Sequence, residues 1–394
     1  MKLAIRALIP ASVLLYFPLF PEEFETPKAY ALVTFGCFAF FFVKWKHLRT
    51  DIVAKCLLLF TLSAAVSTVF SIEKHMSIFG NPKCPTGLAM IVSFLVLYVA
   101  LQDQLRRKRE ADKTVAAILW CSFIVASYAV LQVMGYDFKN WVGTLKTDGY
   151  IRPMSFLGHP NFMANYLAMT LPFALWKLDT SKNEKQIPYA AVAALSCLAI
   201  FLSQSRGMLF AAFAGVATYC LVTKAHTKKI LTLFGVSVAI VLTSMAASKS
   251  LRITALNRAE SIVSPGPARL EYWKGALRIW ARYPILGVGT DAYEIGFQHQ
   301  RTPFYWQVES AGSPHKAHND FLNILATQGL FGAFAAALLS LAVFFRIRNS
   351  YSKFKAPAAA SIAAFYVAGL SSFSVVGVII LALISLSLLK GHRQ

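Results

Sequence analysis

Apolar residues run through this chain in long blocks rather than in one-sided stripes. A window of about 19 residues, the length that carries a helix across a bilayer, picks out roughly twelve of them. They lie near 5–20, 29–43, 52–70, 86–101, 113–134, 160–176, 187–203, 207–223, 230–247, 318–345, 356–371 and 373–389. Blocks that are apolar on every side suit helices facing lipid or one another. The expected fold is an all-α polytopic membrane protein, one integral membrane domain over 1–394 with about 12 transmembrane helices. The first block follows Lys2 and Arg6 as a signal-peptide core would, but no small-residue cleavage site of the A-x-A type comes after it, so it reads as a retained span. Composition agrees, with 57% of residues hydrophobic and 14% charged, where a soluble domain carries about a quarter charged.

Basic residues sort the segments between the blocks by side. Segments 1–6, 44–55, 101–113, 177–187, 224–229, 346–355 and 390–394 hold 23 Lys and Arg, whereas the short segments of the other side hold seven: Lys28, Lys74, Lys83, Lys139, Lys146, Arg152 and Arg206. The richer side is the cytoplasmic one, so both termini are expected inside. The same bias accounts for most of the net charge of +21, the RRKRE run at 106–110 included, and removes nucleic acid as an expected partner. Of the six cysteines only Cys84 falls in an outer segment, so no disulfide is implied on the oxidising side.

The chemistry concentrates outside. Segment 248–317, between the ninth and tenth blocks, is about 70 residues and far longer than an ordinary connection. Within it, ARLEYWKGALRIWARYPILGVG (268–289) places Leu270, Trp273, Leu277 and Trp280 at helical spacing. Pro267 suits a first helical turn, and Pro284 ends the helix. Arg269, Lys274, Arg278 and Arg282 occupy the rest of the circumference. An amphipathic, aromatic, basic helix of this kind is expected in the interface plane among membrane lipids. Its cations either pair with lipid phosphates or hold a phosphorylated substrate, a task that suits the planar fork of arginine. GVGTDA at 287–292 fits a dinucleotide fingerprint only superficially, because no strand precedes it, and reads as a tight turn.

Three shorter outer stretches add candidates. In FLSQSRGMLF, Arg206 either snorkels to the interface or faces a polar pocket with Ser203, Gln204 and Ser205. In GYIRPMSFLGHPNFMANYLA, Arg152, His159 and Asn161 precede a span beginning at Pro160, and His159 either caps that helix or acts on substrate. In SPHKAHNDFLNILATQGLFG, His315 and His318 form an H-x-x-H pair, but no Cys or Glu stands at ligand spacing, so no metal is expected. Asn319 or Asp320 suits the N-cap of the span that follows. His318 is thereby held at the rigid end of a helix, as a neutral imidazole able to accept a proton. Arginines for a phosphate and a histidine for a hydroxyl are the parts of a glycosyl transfer from a lipid pyrophosphate.

These residues carry a resemblance. The chain resembles the O-antigen ligase/O-antigen polymerase superfamily of bacterial envelope glycosyltransferases, with about twelve spans and one large, partly helical periplasmic loop between spans 9 and 10. SQSRG at 203–207 is similar to the family's Ser-Arg-Gly span entry. RLEYWKGALRIWARYPILGVG at 269–289 is similar to its Arg-x-x-x-Trp helix followed by Pro-x-x-Gly-x-Gly, and His318 to Gly329 reproduces the ligases' His-x10-Gly spacing. The resemblance implies an inverting transferase that uses neither cofactor nor metal, in the bacterial inner membrane with its active site in the periplasm. The implied donor is an undecaprenyl-diphosphate-linked glycan. Arg206 and Arg269 would bind the diphosphate as leaving group, and His318 would orient or deprotonate the attacking hydroxyl. Arg278, Arg282, Lys316 and Asn319 are further substrate-binding candidates, with Arg152 and His159 behind them. The ligases' Arg-x-x-x-Leu spacing is met by Arg252 and Leu256 rather than by Arg269, so Arg252 competes for the second diphosphate position.

The superfamily holds ligases that attach a glycan to lipid A-core, polymerases that extend a second lipid-linked glycan, and protein-glycosylating enzymes. The ligase is the leading expectation and the polymerase the second. A lipid-linked glycan transporter or flippase is the alternative from another class. It would show repeated halves and broken helices at the midplane, whereas here the polar signal sits on the outer face.

Overall fold

Helices stand at eleven of the twelve apolar blocks, and the remaining one, 230–247, lies outside the described residues. The computed structural model describes residues 2–20, 22–138, 146–147, 150–223, 266–308 and 313–391. In chain order the helices are α1 (Lys2–Leu14), α2 (Glu25–Phe40), α3 (Lys46–Thr50), α4 (Ile52–Val69), α5 (Lys74–Phe79), α6 (Leu88–Gln104), α7 (Lys108–Val133), α8 (Pro160–Thr180), α9 (Ile187–Leu202), α10 (Arg206–Thr223), α11 (Pro267–Arg282), α12 (Tyr293–Gln298), α13 (Pro303–Val308), α14 (Asp320–Arg348), α15 (Lys355–Gly369) and α16 (Val376–Leu388). Strand pairing among the described residues is confined to Lys146–Thr147 with Tyr150–Ile151. Among the described residues, five helical stretches are long and apolar enough to cross a membrane: α4, α7, Asn183–Leu202, α10 and α14. α6 and α16 are shorter apolar helices.

The chain divides into two compact units. The first comprises Met1–Ala111, Pro265–Ser352 and Gly369–Gln394; the second comprises Asp112–Ser264 and Lys353–Ala368.

In the first unit α14 packs along α4, α6 packs on α2, α4 and α16, and α11 lies against α14. Asp51 ties its basic end together. Its side chain caps α4 by accepting from the Ala54 N–H at 3.1 Å, and it pairs with Arg346 and Lys390 at 2.8 Å each. An acidic residue at a helix N-terminus is favourable, and the two cations offset its burial.

α14 is not continuous. Gly329 takes φ 62 and ψ −159, breaking the helix. Breaking a helix long and apolar enough to cross a membrane frees backbone groups that lipid cannot satisfy. The segment Pro284–Gly289 satisfies them: the N–H groups of Val288 and Gly289 donate to Ala326 and Thr327 at 3.1 and 3.0 Å, and those of Leu330 and Phe331 donate to Pro284 and Ile285 at 2.8 and 3.1 Å. Ser67 Oγ of α4 adds a second donor to the Thr327 carbonyl at 2.7 Å. The start of GVGTDA, expected as a tight turn, is thus, together with Pro284–Leu286, the backbone partner of a helix break. The close approach needs glycine, since a Cβ on Gly287 would meet the Gln328 nitrogen at 2.5 Å, and one on Gly329 the Leu286 nitrogen at 2.6 Å.

In the second unit α8 packs on α9 and α10. Pro160 starts α8, and His159 is its N-cap. Gln132 Oε1 accepts from the N–H groups of Met154 and Ser155 at 3.2 and 2.8 Å, fixing the stretch that leads into α8.

Candidate active site

α11 begins at Pro267, where a missing N–H costs nothing. Its core-facing residues are Tyr272, Ala276 and Ile279, which join Val288, Ala292, Tyr293, Phe297, Tyr305, Ala317 and Ala326 in one buried cluster. This is not the stripe the sequence suggested. Leu270 and Leu277 of that stripe are exposed, and Trp273 and Trp280 are half-buried. The core takes Tyr272, Ala276 and Ile279, with Trp273 packed at its edge, and the ring of Phe297 lies where a side chain on Gly275 would stand.

That packing fixes His318. Its backbone is left-handed, φ 50, and Asn319 directly after it is the N-cap of α14. Asn319 Oδ1 accepts from the Phe321 and Leu322 N–H groups at 3.0 and 3.1 Å, and its Nδ2 donates to the Leu370 carbonyl at 3.0 Å. Asp320 accepts from the N–H and Oγ of Ser374 at 3.0 and 2.6 Å. The His318 ring stacks on Tyr272, with centroids 5.4 Å apart and planes at 28°, and meets Phe373 edge-on at 5.1 Å. The Tyr272 carbonyl in turn accepts from the Tyr293 hydroxyl at 2.7 Å. Nδ1 of His318 is buried and has no hydrogen-bond partner among the described residues.

Burial pushes the His318 pKa down to about 4, and repulsion from Arg269 and His315 pushes in the same direction. The imidazole is therefore neutral at neutral pH. Arg269, in the first turn of α11, is near enough for its charge to be felt at the ring. An anion bound at Arg269 would offset that charge and make His318 more basic.

The neighbouring residues of the same loop are held by acids that the sequence reading passed over. Lys316 is interior, its side chain 3% exposed, and its ammonium pairs with the fully buried Asp291 and with Thr86 Oγ1. Asp291 also accepts from the N–H groups of Asn81 and Thr86 at 2.7 and 2.9 Å. Expected as a substrate-binding group, Lys316 is instead committed to a carboxylate inside the fold. His315 Nδ1 lies 2.6 Å from Glu294 Oε2, which also accepts from Asn81 Nδ2 at 2.6 Å. On α11, Glu271 is buried and accepts from Lys274 and from Thr302 Oγ1 at 3.0 and 2.9 Å. Burial works against its charge, but these partners and Arg278 win and hold its pKa below the usual value. Arg278 donates to the Gln300 carbonyl at 2.9 Å. Arg282 is exposed and stands over the Tyr283 ring.

The structure thus brings together His318, Arg269, Lys316, Asn319 and His315 at one end of the first unit, with Arg278 and Arg282 farther along α11. The remaining described candidates belong to the second unit. Arg206 is the first residue of α10, after a turn in which Gln204 has φ 55. Arg152 Nε donates to the Ser203 carbonyl at 3.1 Å, and its Nη2 lies 3.5 Å from Asn161 Oδ1. Arg152 and Arg206 are therefore fastened to the same turn. His159 Nδ1 accepts from the Asn161 N–H at 3.1 Å, so its capping reading holds. Arg252 lies outside the described residues. Glu271, Asp291 and Glu294 had one signal in the sequence: they are carboxylates in a chain with 18 acids against 39 basic residues, standing in the loop richest in candidates.

Residues 191–337 match a family model described as O-antigen ligase. The matched stretch holds Arg206, Arg269 and His318, and it runs through both the PILGVG segment and the break at Gly329. No curated protein matches the chain.

Proposed function

We propose, from the match of residues 191–337 to the O-antigen ligase family model, that the chain is a glycosyltransferase of the ligase type within the O-antigen ligase/polymerase superfamily. It moves a glycan from undecaprenyl diphosphate to a hydroxyl of lipid A-core at the periplasmic face of the bacterial inner membrane. With the twelve spans and cytoplasmic termini expected from the sequence, the α11–α14 end of the first unit would face outside. The observation that carries this reading is His318: a neutral imidazole on the capped end of α14, stacked on α11, with the Arg269 charge beside it.

In the transfer the acceptor oxygen attacks the anomeric carbon from the face opposite the diphosphate, inverting it, and the C–O bond to the diphosphate breaks. Negative charge grows on the leaving group, and a fixed guanidinium stabilises it most where water is scarce. Arg269 supplies that charge, and the resemblance assigns Arg206 the same task. His318 hydrogen-bonds the attacking hydroxyl and aligns its lone pair.

The test is transfer in liposomes, without nucleotide sugar or added divalent metal. Wild type, Arg206→Ala, Arg269→Ala and His318→Ala are each given an undecaprenyl-diphosphate glycan, with and without lipid A-core. Glycan on lipid A-core, lost in the variants, supports the ligase. Longer lipid-linked chains without lipid A-core make the protein a polymerase, and donor that crosses the bilayer unconsumed makes it a transporter.

A further inference from the structure

The loop before α14 presents two imidazoles, three residues apart, in opposite surroundings. His318 sits between two aromatic rings with its Nδ1 buried, under the positive charge of Arg269. Among the described residues no carboxylate is bonded to that ring to stabilise the imidazolium it would become. His315 is the reverse case. Its Nδ1 faces Glu294 at 2.6 Å, the carboxylate is braced by Asn81 Nδ2, and the side chain is 26% exposed. With Nδ1–H donated to the carboxylate, Nε2 is left as the acceptor nitrogen. A carboxylate on one ring nitrogen fixes the tautomer and stabilises the imidazolium that forms when the other takes a proton.

We propose that the Glu294–His315 pair, rather than His318, receives the proton of the acceptor hydroxyl, while His318 orients that hydroxyl. The inference rests on the transferase reading above. As the new glycosidic C–O bond forms, the acceptor's O–H proton passes to His315 Nε2, and the electron pair of the breaking bond leaves with the diphosphate. The imidazolium then releases its proton to water. Glu294 is a positioning residue that acts through His315, and Asn81 positions Glu294. The other charged and titratable groups of this corner are His318 and Lys316 on the same loop, Arg269 on α11 and Asp291 before α12. Lys316 and Asp291 neutralise one another.

The test measures lipid-linked glycan transfer as a function of pH for wild type, Glu294→Gln, His315→Ala and His318→Asn, each first shown by thermal melting to be folded. Glu294→Gln keeps an acceptor for His315 and removes only the charge. It is expected to lower kcat about 10–100-fold, leave the donor KM unchanged and change the acid limb of the pH profile. His315→Ala is expected to lose about 10²–10⁴-fold, recovered in part by added imidazole. His318→Asn is expected to lose rate while keeping the wild-type acid limb. If His315→Ala and Glu294→Gln keep that limb and imidazole restores nothing, the pair only fastens the loop, and this inference fails while the transferase reading stands. If wild type transfers glycan to no acceptor, the transferase reading fails and takes the inference with it.

Discussion

The N–H of Leu330 donates to the carbonyl of Pro284 at 2.8 Å, one residue beyond the point where Gly329 breaks α14. Through this bond and its three neighbours, the end of α11 and the start of α14 are one rigid piece, and that piece carries Arg269 and His318. The backbone of Gly329 lies in a region open essentially to glycine alone.

Gly329→Ala is accordingly expected to destabilise the protein by about 1–3 kcal/mol from backbone strain alone, and by more once the new methyl displaces the Ile285–Leu286 backbone. Gly287→Ala is expected to act alike, because its Cβ meets Gln328. Melting of detergent-purified variants checks the magnitude. Hydrogen exchange at Leu330 and Phe331 checks the cause, and unchanged protection there would refute it.

His318 is expected to titrate near pH 4 in the free protein, against an ordinary value of 6.5. A depressed imidazole pKa means that the unfolded chain binds the proton first. Its contribution to stability is present above pH 6.5 and is lost as pH falls through about 4. The ring's carbon resonances, followed by NMR, give the midpoint directly. Arg269→Gln is expected to raise that midpoint, as is saturation with inorganic pyrophosphate; a midpoint indifferent to both would disprove the coupling.

Lys316→Met leaves the carboxylate of Asp291 buried and unpaired. The expected loss is about 3–5 kcal/mol. Lys316→Met combined with Asp291→Asn is expected to recover much of it, because no lone charge remains. A double-mutant cycle in melting temperature measures the coupling. Additive losses would mean that the two side chains act independently.

Asn319→Ala removes the cap of α14 at a cost of about 0.5–2 kcal/mol, and Asn319→Ser retains most of it. If the residue serves chiefly as a cap, Asn319→Ser keeps wild-type donor KM and melting temperature. A raised KM in that variant would assign the amide to the substrate instead.

Much of this was legible in the chain itself. Pro160 and Pro267 mark helix starts, Pro284 follows a helix end, and Asn319 before an apolar block is a cap. Each rests on interactions within a turn or two of the chain, as does the apolar length of α4, α7, α10 and α14. The side of α11 that faces the core was not legible, because Leu270, Trp273, Leu277 and Trp280 look as apolar as Tyr272, Ala276 and Ile279. Only the close approach of Phe297 at Gly275 separates them.

By itself the sequence determined where helices form, which ends are basic, and which short motifs hold histidine and arginine near a span entry, since these follow from local propensity and from hydrophobicity summed over near neighbours. Tertiary structure alone decided the partners. Lys316 meets Asp291 and Thr86, which lie 25 and 230 residues away. His315 meets Glu294 at a separation of 21, and Glu294 meets Asn81 at 213. Whether a cation is free for substrate or bound to a buried acid depends on desolvation and on chain segments brought together only by folding. For that reason two neighbouring histidines, alike as letters, are a neutral ring between aromatics and a ring on a carboxylate.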